Sequence, residues 1–159
     1  MHPLIFLDVD GPLLPFGGPG PHPSYAPPPA PGAHPLLDRV DPAHGARLAA
    51  LGGDLVWATT WASDANEVLA PRLGLPALPV VDWPDEDAPE AGLHWKTRPL
   101  AAWAAGRPYV WLDDEITPTD RTWTRTHHPA PTLLHRVDPR TGLTEQDYTA
   151  VRHWLAGHG

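Results

Sequence analysis

Cysteine is absent from the chain, and lysine occurs once, at Lys96. Without thiols there is no disulfide framework, a usage that fits a reducing compartment and predicts a cytoplasmic protein. The other ten basic residues are all arginine, and 19 acidic residues leave a formal net charge of −8. A general nucleic-acid binder needs a basic face to displace counterions, so this balance argues against nucleic acid as a high-affinity partner. It leaves room for a phosphorylated ligand held beside a metal. No apolar run approaches the ~18 residues of a membrane span. No basic segment or long apolar core precedes the first short apolar run, which predicts no signal peptide. Ten histidines are present, but none forms His-Glu-x-x-His and no cysteine can join them, which argues against structural zinc.

Proline and glycine are in excess instead. The 159 residues include 23 Pro and 14 Gly, nearly twice the usual combined share of about 12%. The excess is local: residues 11–35 hold ten Pro and five Gly, and the remainder has ordinary globular usage. The length predicts a single domain over residues 1–159, with 42% hydrophobic residues and eight Trp to fill its core.

Leu4-Ile5-Phe6-Leu7 reads as a buried strand ending in the turn Asp8-Val9-Asp10-Gly11. A helix is expected from Pro42 to Leu51, with Asp41 as its cap, and a second strand over residues 54–59. A helix over 63–73, a weaker third strand over 78–81, a solvated acidic loop over 82–90 and a helix over 95–105 follow. Tyr109-Val110-Trp111-Leu112 is the fourth strand, ending in Asp113-Asp114-Glu115. Thr117-Pro118-Thr119-Asp120 carries a helix start: Thr as cap, Pro first, and an acid three residues on. A strand over 132–137 and a helix over 143–156, capped by Thr144 with Asp147, complete the series. Short apolar strands alternating with helices predict an α/β fold, a Rossmann-like parallel sheet with helices on both faces.

Ligands of such sheets bind at the carboxyl ends of the strands. There the first strand delivers Asp8 and Asp10, the second Thr59 and Thr60, and the fourth Asp113 and Asp114, while Lys96 opens the helix before the fourth. Carboxylates crowded on one edge repel and need a cation. Oxygen donors with few protein ligands suit Mg²⁺. Each piece alone has a plain reading: Asp8 and Asp10 can end a strand, Lys96 can be a solvated surface residue, and Asp113-Asp114-Glu115 an acidic turn.

Together, in this order, they resemble the haloacid dehalogenase-like hydrolase superfamily. Leu7-Asp8-Val9-Asp10-Gly11 is similar to its first motif, D-x-D-G after an apolar strand, and Leu55-Val56-Trp57-Ala58-Thr59 to its second. Lys96 falls where the third motif places Lys or Arg, and Val110-Trp111-Leu112-Asp113-Asp114 resembles the fourth. The resemblance covers residues 4–137. It implies a nucleophilic Asp8 that forms an aspartyl-phosphate, with Asp10 as general acid and base. Thr59 would bond a phosphoryl oxygen, and Lys96 would neutralise charge and orient Asp8. Mg²⁺ would be held by Asp8, the backbone carbonyl of Asp10, and Asp114, with Asp113 as the alternative or a supporting partner. An acid at position 10 favours phosphate chemistry over carbon–halogen cleavage, because the dehalogenating members lack it. Many members carry a further acid four residues beyond the metal-binding one; here positions 117 and 118 are Thr and Pro.

Other residues stand near these motifs. Thr60 reads either as a substrate contact or as a helix cap, Trp61 either as pocket-facing or as core, and His94, close to Lys96, as lining the site. Members of the superfamily usually draw specificity from an inserted cap domain. Neither connection here is long enough for one, so residues 12–41 read as a Pro/Gly-rich flap or minimal cap over an open site. The expectation is a Mg²⁺-dependent phosphomonoesterase acting on a phosphorylated small molecule or on the phosphate end of a larger substrate. The opening Leu-Asp-Val-Asp-Gly also resembles small domains found beside RNA-repair modules. The alternative is a non-catalytic module that keeps the fold and docks through its Pro-rich segment.

Overall fold

A computed structural model of the protein describes residues 2–19, 21–25, 35–83 and 92–158. Strand β1 (Leu4–Leu7) carries only apolar side chains and is buried on both faces, which makes it central. It is flanked by β2 (Asp54–Trp57) and β3 (Tyr109–Asp113), with β4 (Thr132–Arg136) beyond β3. The sheet order is β2-β1-β3-β4, with every pair parallel.

Alternation along β1 divides the core. Ile5 and Leu7 join Trp57, Val110 and Leu112 on one face, under Leu48 of α1 (Ala43–Ala49), Leu73 of α2 (Ala70–Leu73) and Tyr148 and Val151 of a long C-terminal helix (Glu145–His158). Leu4 and Phe6 join Val56, Tyr109 and Trp111 on the other, under Leu100 and Ala104 of α3 (Thr97–Ala104). Helix α4 (Pro118–His127) packs beside α3, and the C-terminal helix is α5. Fully burying each large apolar side chain is worth about 1.5–3 kcal/mol. The α/β sheet with helices on both faces is therefore as the apolar pattern predicts.

Two expected elements differ. Residues 78–81 do not form a strand; only Val80 bridges Trp57, at the free edge of β2. Pro79 has no N–H to give a ladder. The Asn66 side chain meanwhile takes both polar groups of Leu78, accepting its N–H at 2.8 Å and donating to its carbonyl at 2.8 Å. The helix expected over 63–73 is instead a π-turn, Ala65–Leu69, running into α2. Pro71 cannot donate to the carbonyl four residues back, and the wider turn accommodates that gap. Close packing of α1 on α2 requires Gly45, where a Cβ would fall 1.7 Å from the Leu73 carbonyl oxygen.

Two helix starts follow their signals, whereas α1 begins at Ala43 with Pro42, not Asp41, in the cap position; the Asp41 carboxylate only accepts the Ala43 N–H, at 2.9 Å. Thr117 and Asp120 form a reciprocal capping box with Pro118 at the first turn of α4, and Asp147 accepts the Thr144 N–H and hydroxyl before α5. The Pro-rich segment begins docked on the loop after β4: Pro12 accepts the Leu143 N–H, and Phe16 donates to Pro139. The expected flap continues through residues 26–34, and the acidic loop through 84–90; both stretches lie outside the described residues. Among the described residues no separate cap domain forms, and no helix is long and apolar enough to cross a membrane.

Candidate active site

The parallel register sets Leu7 beside both Trp57 and Leu112, so Asp8, Ala58 and Asp113 emerge abreast at the carboxyl edge. Lys96 reaches the same edge from the turn before α3. Its Nζ donates to Asp8 Oδ1 at 3.0 Å, Asp113 Oδ2 at 2.9 Å and the Ala58 carbonyl at 2.9 Å. Those contacts use all three ammonium protons. Lys96, Asp8 and Asp113 are only 4%, 6% and 1% exposed.

Charge at this depth is expensive unless matched. Burial pulls the Lys96 ammonium down, but the Asp8 and Asp113 carboxylates more than offset it and hold it above its ordinary value. Burial raises Asp8 well above the usual carboxylate range, Asp113 adds to the rise, and Lys96 opposes it. Burial, together with the hydrogen bond and charge of Asp113, pushes Asp114 up to about 7. Carboxylate oxygens of Asp8, Asp113 and Asp114 lie within 4.8 Å of one another. One ammonium faces three acids, and the all-oxygen donor set left over fits a hard divalent cation.

Gly11 makes this convergence possible. Its φ of +103° is a conformation that side chains disfavour, and a Cβ there would lie 2.8 Å from Asp114 Cβ.

The other expected site residues fall as follows. Asp10 is exposed, and its carboxylate accepts the Trp61 indole N–H at 3.3 Å, outside the three-acid cluster. Thr59 is fully buried, and its hydroxyl oxygen accepts the Trp61 backbone N–H at 3.2 Å. Thr60 is exposed in the following turn, and Trp61 is half-buried. The His94 side chain is 8% exposed and sits between Trp95 and Trp111. Its Nδ1 accepts the Lys96 backbone N–H at 3.0 Å, so it sits behind the lysine. Burial lowers its pKa, although Asp113 pulls the other way.

Three residues outside the sequence expectations also belong here. Trp83 donates its indole N–H to the Thr59 carbonyl and meets Trp95 edge to face. Lys96 Nζ lies 5.9 Å and 5.5 Å from those two ring centres, and Trp95 is 40% exposed. Their signal in the sequence was no more than an abundance of tryptophan. Asp120, expected only as a helix cap, is fully buried and also accepts from the His94 N–H and the Thr97 hydroxyl, two residues before Lys96 and one after it.

Over residues 4–148 the chain matches the family model described as the HAD domain in Swiss Army Knife RNA repair proteins, HAD being haloacid dehalogenase. Comparisons with curated proteins and with solved structures give no match.

Proposed function

We propose, because the chain belongs to the family of HAD domains of Swiss Army Knife RNA repair proteins, that it is a Mg²⁺-dependent phosphomonoesterase acting on the terminal phosphate of an RNA strand. The observation that carries this reading is the buried Lys96 bridging Asp8 and Asp113 beside Asp114. An acidic surface patch would have no use for an ammonium with all three protons committed.

In this reading an Asp8 carboxylate oxygen attacks phosphorus, and the bond from phosphorus to the ester oxygen breaks. Asp10 gives its proton to that departing oxygen. It then takes a proton from the water that attacks the aspartyl-phosphate, releasing inorganic phosphate and restoring Asp8. Lys96 fixes Asp8 Oδ1 and balances charge at the reacting centre, Thr59 offers its hydroxyl to a phosphoryl oxygen, and the Trp61 indole holds Asp10. Asp8, Asp114 and the backbone carbonyl of Asp10 would hold Mg²⁺, which would supply charge neutralisation at the phosphoryl group. Asp114 rather than Asp113 would be the ligand, because Asp113 already serves Lys96 Nζ with one oxygen and the Glu115 N–H with the other.

The net charge of −8 denies an RNA end the usual counterion-release affinity. Affinity comes instead from the terminal phosphate and from stacking of the adjoining base on the exposed Trp95, a mode that tolerates any base. Residues 12–41 act as a minimal flap of a single catalytic domain.

The test is phosphate release with Mg²⁺ from 5′- and 3′-phosphorylated oligoribonucleotides and from small phosphomonoesters, with Asp8→Asn as control. Turnover is expected with the wild type and is lost with chelator and in Asp8→Asn. Turnover surviving in Asp8→Asn would overturn the nucleophile, and none on any substrate would favour a non-catalytic module.

A further inference from the structure

We infer that Asp120 is a positioning residue, a buried strap that holds the Lys96 loop in register with the loop carrying Asp113 and Asp114. The inference rests on the placing of Lys96 in the active site. A capping box needs one carboxylate oxygen of its acid. Oδ2 of Asp120 fills that role, accepting the Thr117 N–H at 2.9 Å and hydroxyl at 2.8 Å. Oδ1 does something the cap does not require. It accepts the His94 N–H at 2.7 Å and the Thr97 hydroxyl at 2.8 Å, two residues before Lys96 and one after it.

Between those anchors the Lys96 N–H is held by His94 Nδ1. The backbone before the lysine and the Thr97 side chain after it are thus pinned to a side chain whose other oxygen grips Thr117, four residues beyond Asp113. Its four acceptor sites are all taken, and no solvent reaches the residue, so Asp120 is no metal ligand. The box before α5 gives an internal contrast: the second oxygen of Asp147 takes the His135 ring rather than a group of the Lys96 loop.

The single lysine makes the inference directly measurable. Protein labelled with ¹⁵N-lysine carries one ammonium signal, whose hydrogen exchange with water reports how firmly Nζ is held. In metal-free wild type the triply bonded Nζ exchanges slowly. Thr97→Val loosens the Oδ1 side and Asp120→Asn puts an amide N–H₂ where a carboxylate oxygen accepted, and we expect exchange about tenfold faster, the scale of one lost hydrogen bond. Thr117→Val weakens only the cap; its thermal midpoint falls, and exchange stays within about twofold of wild type. Unchanged exchange in Thr97→Val and Asp120→Asn overturns the inference. So does exchange that rises in all three variants in step with lost stability, which is the behaviour of a cap alone. Should Asp120→Asn not fold, Thr97→Val decides. No turnover enters the measurement, so failure to find phosphatase activity leaves this result standing by itself.

Discussion

Asp114 is held where the metal-free protein resists ionising it. Burial first, then the hydrogen bond and charge of Asp113, moves its carboxyl from the ordinary 3.8 up to about 7. A group whose folded value is raised binds extra protons in the native state. Its contribution is present in full below the unfolded value and is lost as pH rises through about 7. A shift of this size corresponds to about 4 kcal/mol for a fully enclosed group, and solvent screening of the half-buried side chain reduces it to about 2 kcal/mol. For a domain of this length that is about 4–8 °C in thermal midpoint. The assay is thermal unfolding of wild type and Asp114→Asn at pH 5 and 7.5, with chelator or Mg²⁺. In chelator at pH 7.5 the Asn variant should melt about 4–8 °C above wild type, and the gap should narrow at pH 5 and vanish only as pH falls below the unfolded value. Saturating Mg²⁺ should stabilise wild type at pH 7.5 by about 2–3 kcal/mol at a hundredfold excess over Kd, and leave the variant unmoved. An Asn variant less stable than wild type in chelator at pH 7.5, or an equal Mg²⁺ response in both, would refute the reasoning.

Gly11→Ala should cost about 1–3 kcal/mol in backbone strain and displace Asp114, which its Cβ would crowd; a wild-type Mg²⁺ thermal shift in that variant would contradict the arrangement. Trp95→Ala should raise KM for a phosphorylated oligoribonucleotide about tenfold or more, as the loss of a stacked base requires. Small phosphomonoesters should change little, and equal effects on both substrate types would rule out stacking. Burial raises Asp120, but its donors outweigh that and leave its pKa lowered. Its contribution is therefore present above the ordinary carboxylate value and lost as pH falls through the folded one. Urea midpoints followed from pH 6 to 3 should fall more steeply for wild type than for Asp120→Asn, and parallel profiles would exclude this role.

The carboxyl edge that gathers the candidate site was legible because burial and chemistry coincide there in the sequence. An apolar run such as Leu4–Leu7 or Tyr109–Leu112 must be a strand, and the acid that follows must then stand at its carboxyl end. Where the deciding contact is distant in the chain, no local pattern reveals it. Leu78–Val81 has strand composition, but the Asn66 side chain, 12 residues before Leu78, claims the Leu78 backbone groups. Pro71 was visible, yet the π-turn before it also buries Ala65 and Leu69 in the core with Trp57, a partner 8 to 12 residues away. Asp120 shows the same limit most plainly. Its capping role is written in four consecutive residues, whereas its hold on His94 and Thr97 spans 26 and 23 residues.

A chain that otherwise uses arginine for every basic position keeps a lysine at 96 for a geometric reason. Three acceptors from three different segments, Asp8 Oδ1, the Ala58 carbonyl and Asp113 Oδ2, converge on one nitrogen at 2.9–3.0 Å. An ammonium has three donors on a single tetrahedral atom, so it can serve all three acceptors at once. A guanidinium spreads five donors over a planar fork suited to one carboxylate edge, and it is wider. At 4% exposure the nitrogen is enclosed, and its acceptors belong to three separate partners rather than to one carboxylate edge. The scarcity of lysine in the composition and the crowding of carboxylates in the fold are thus linked at one atom. That atom must stay charged, which the two acids ensure, and must stay aligned, which falls to the loop from His94 to Thr97.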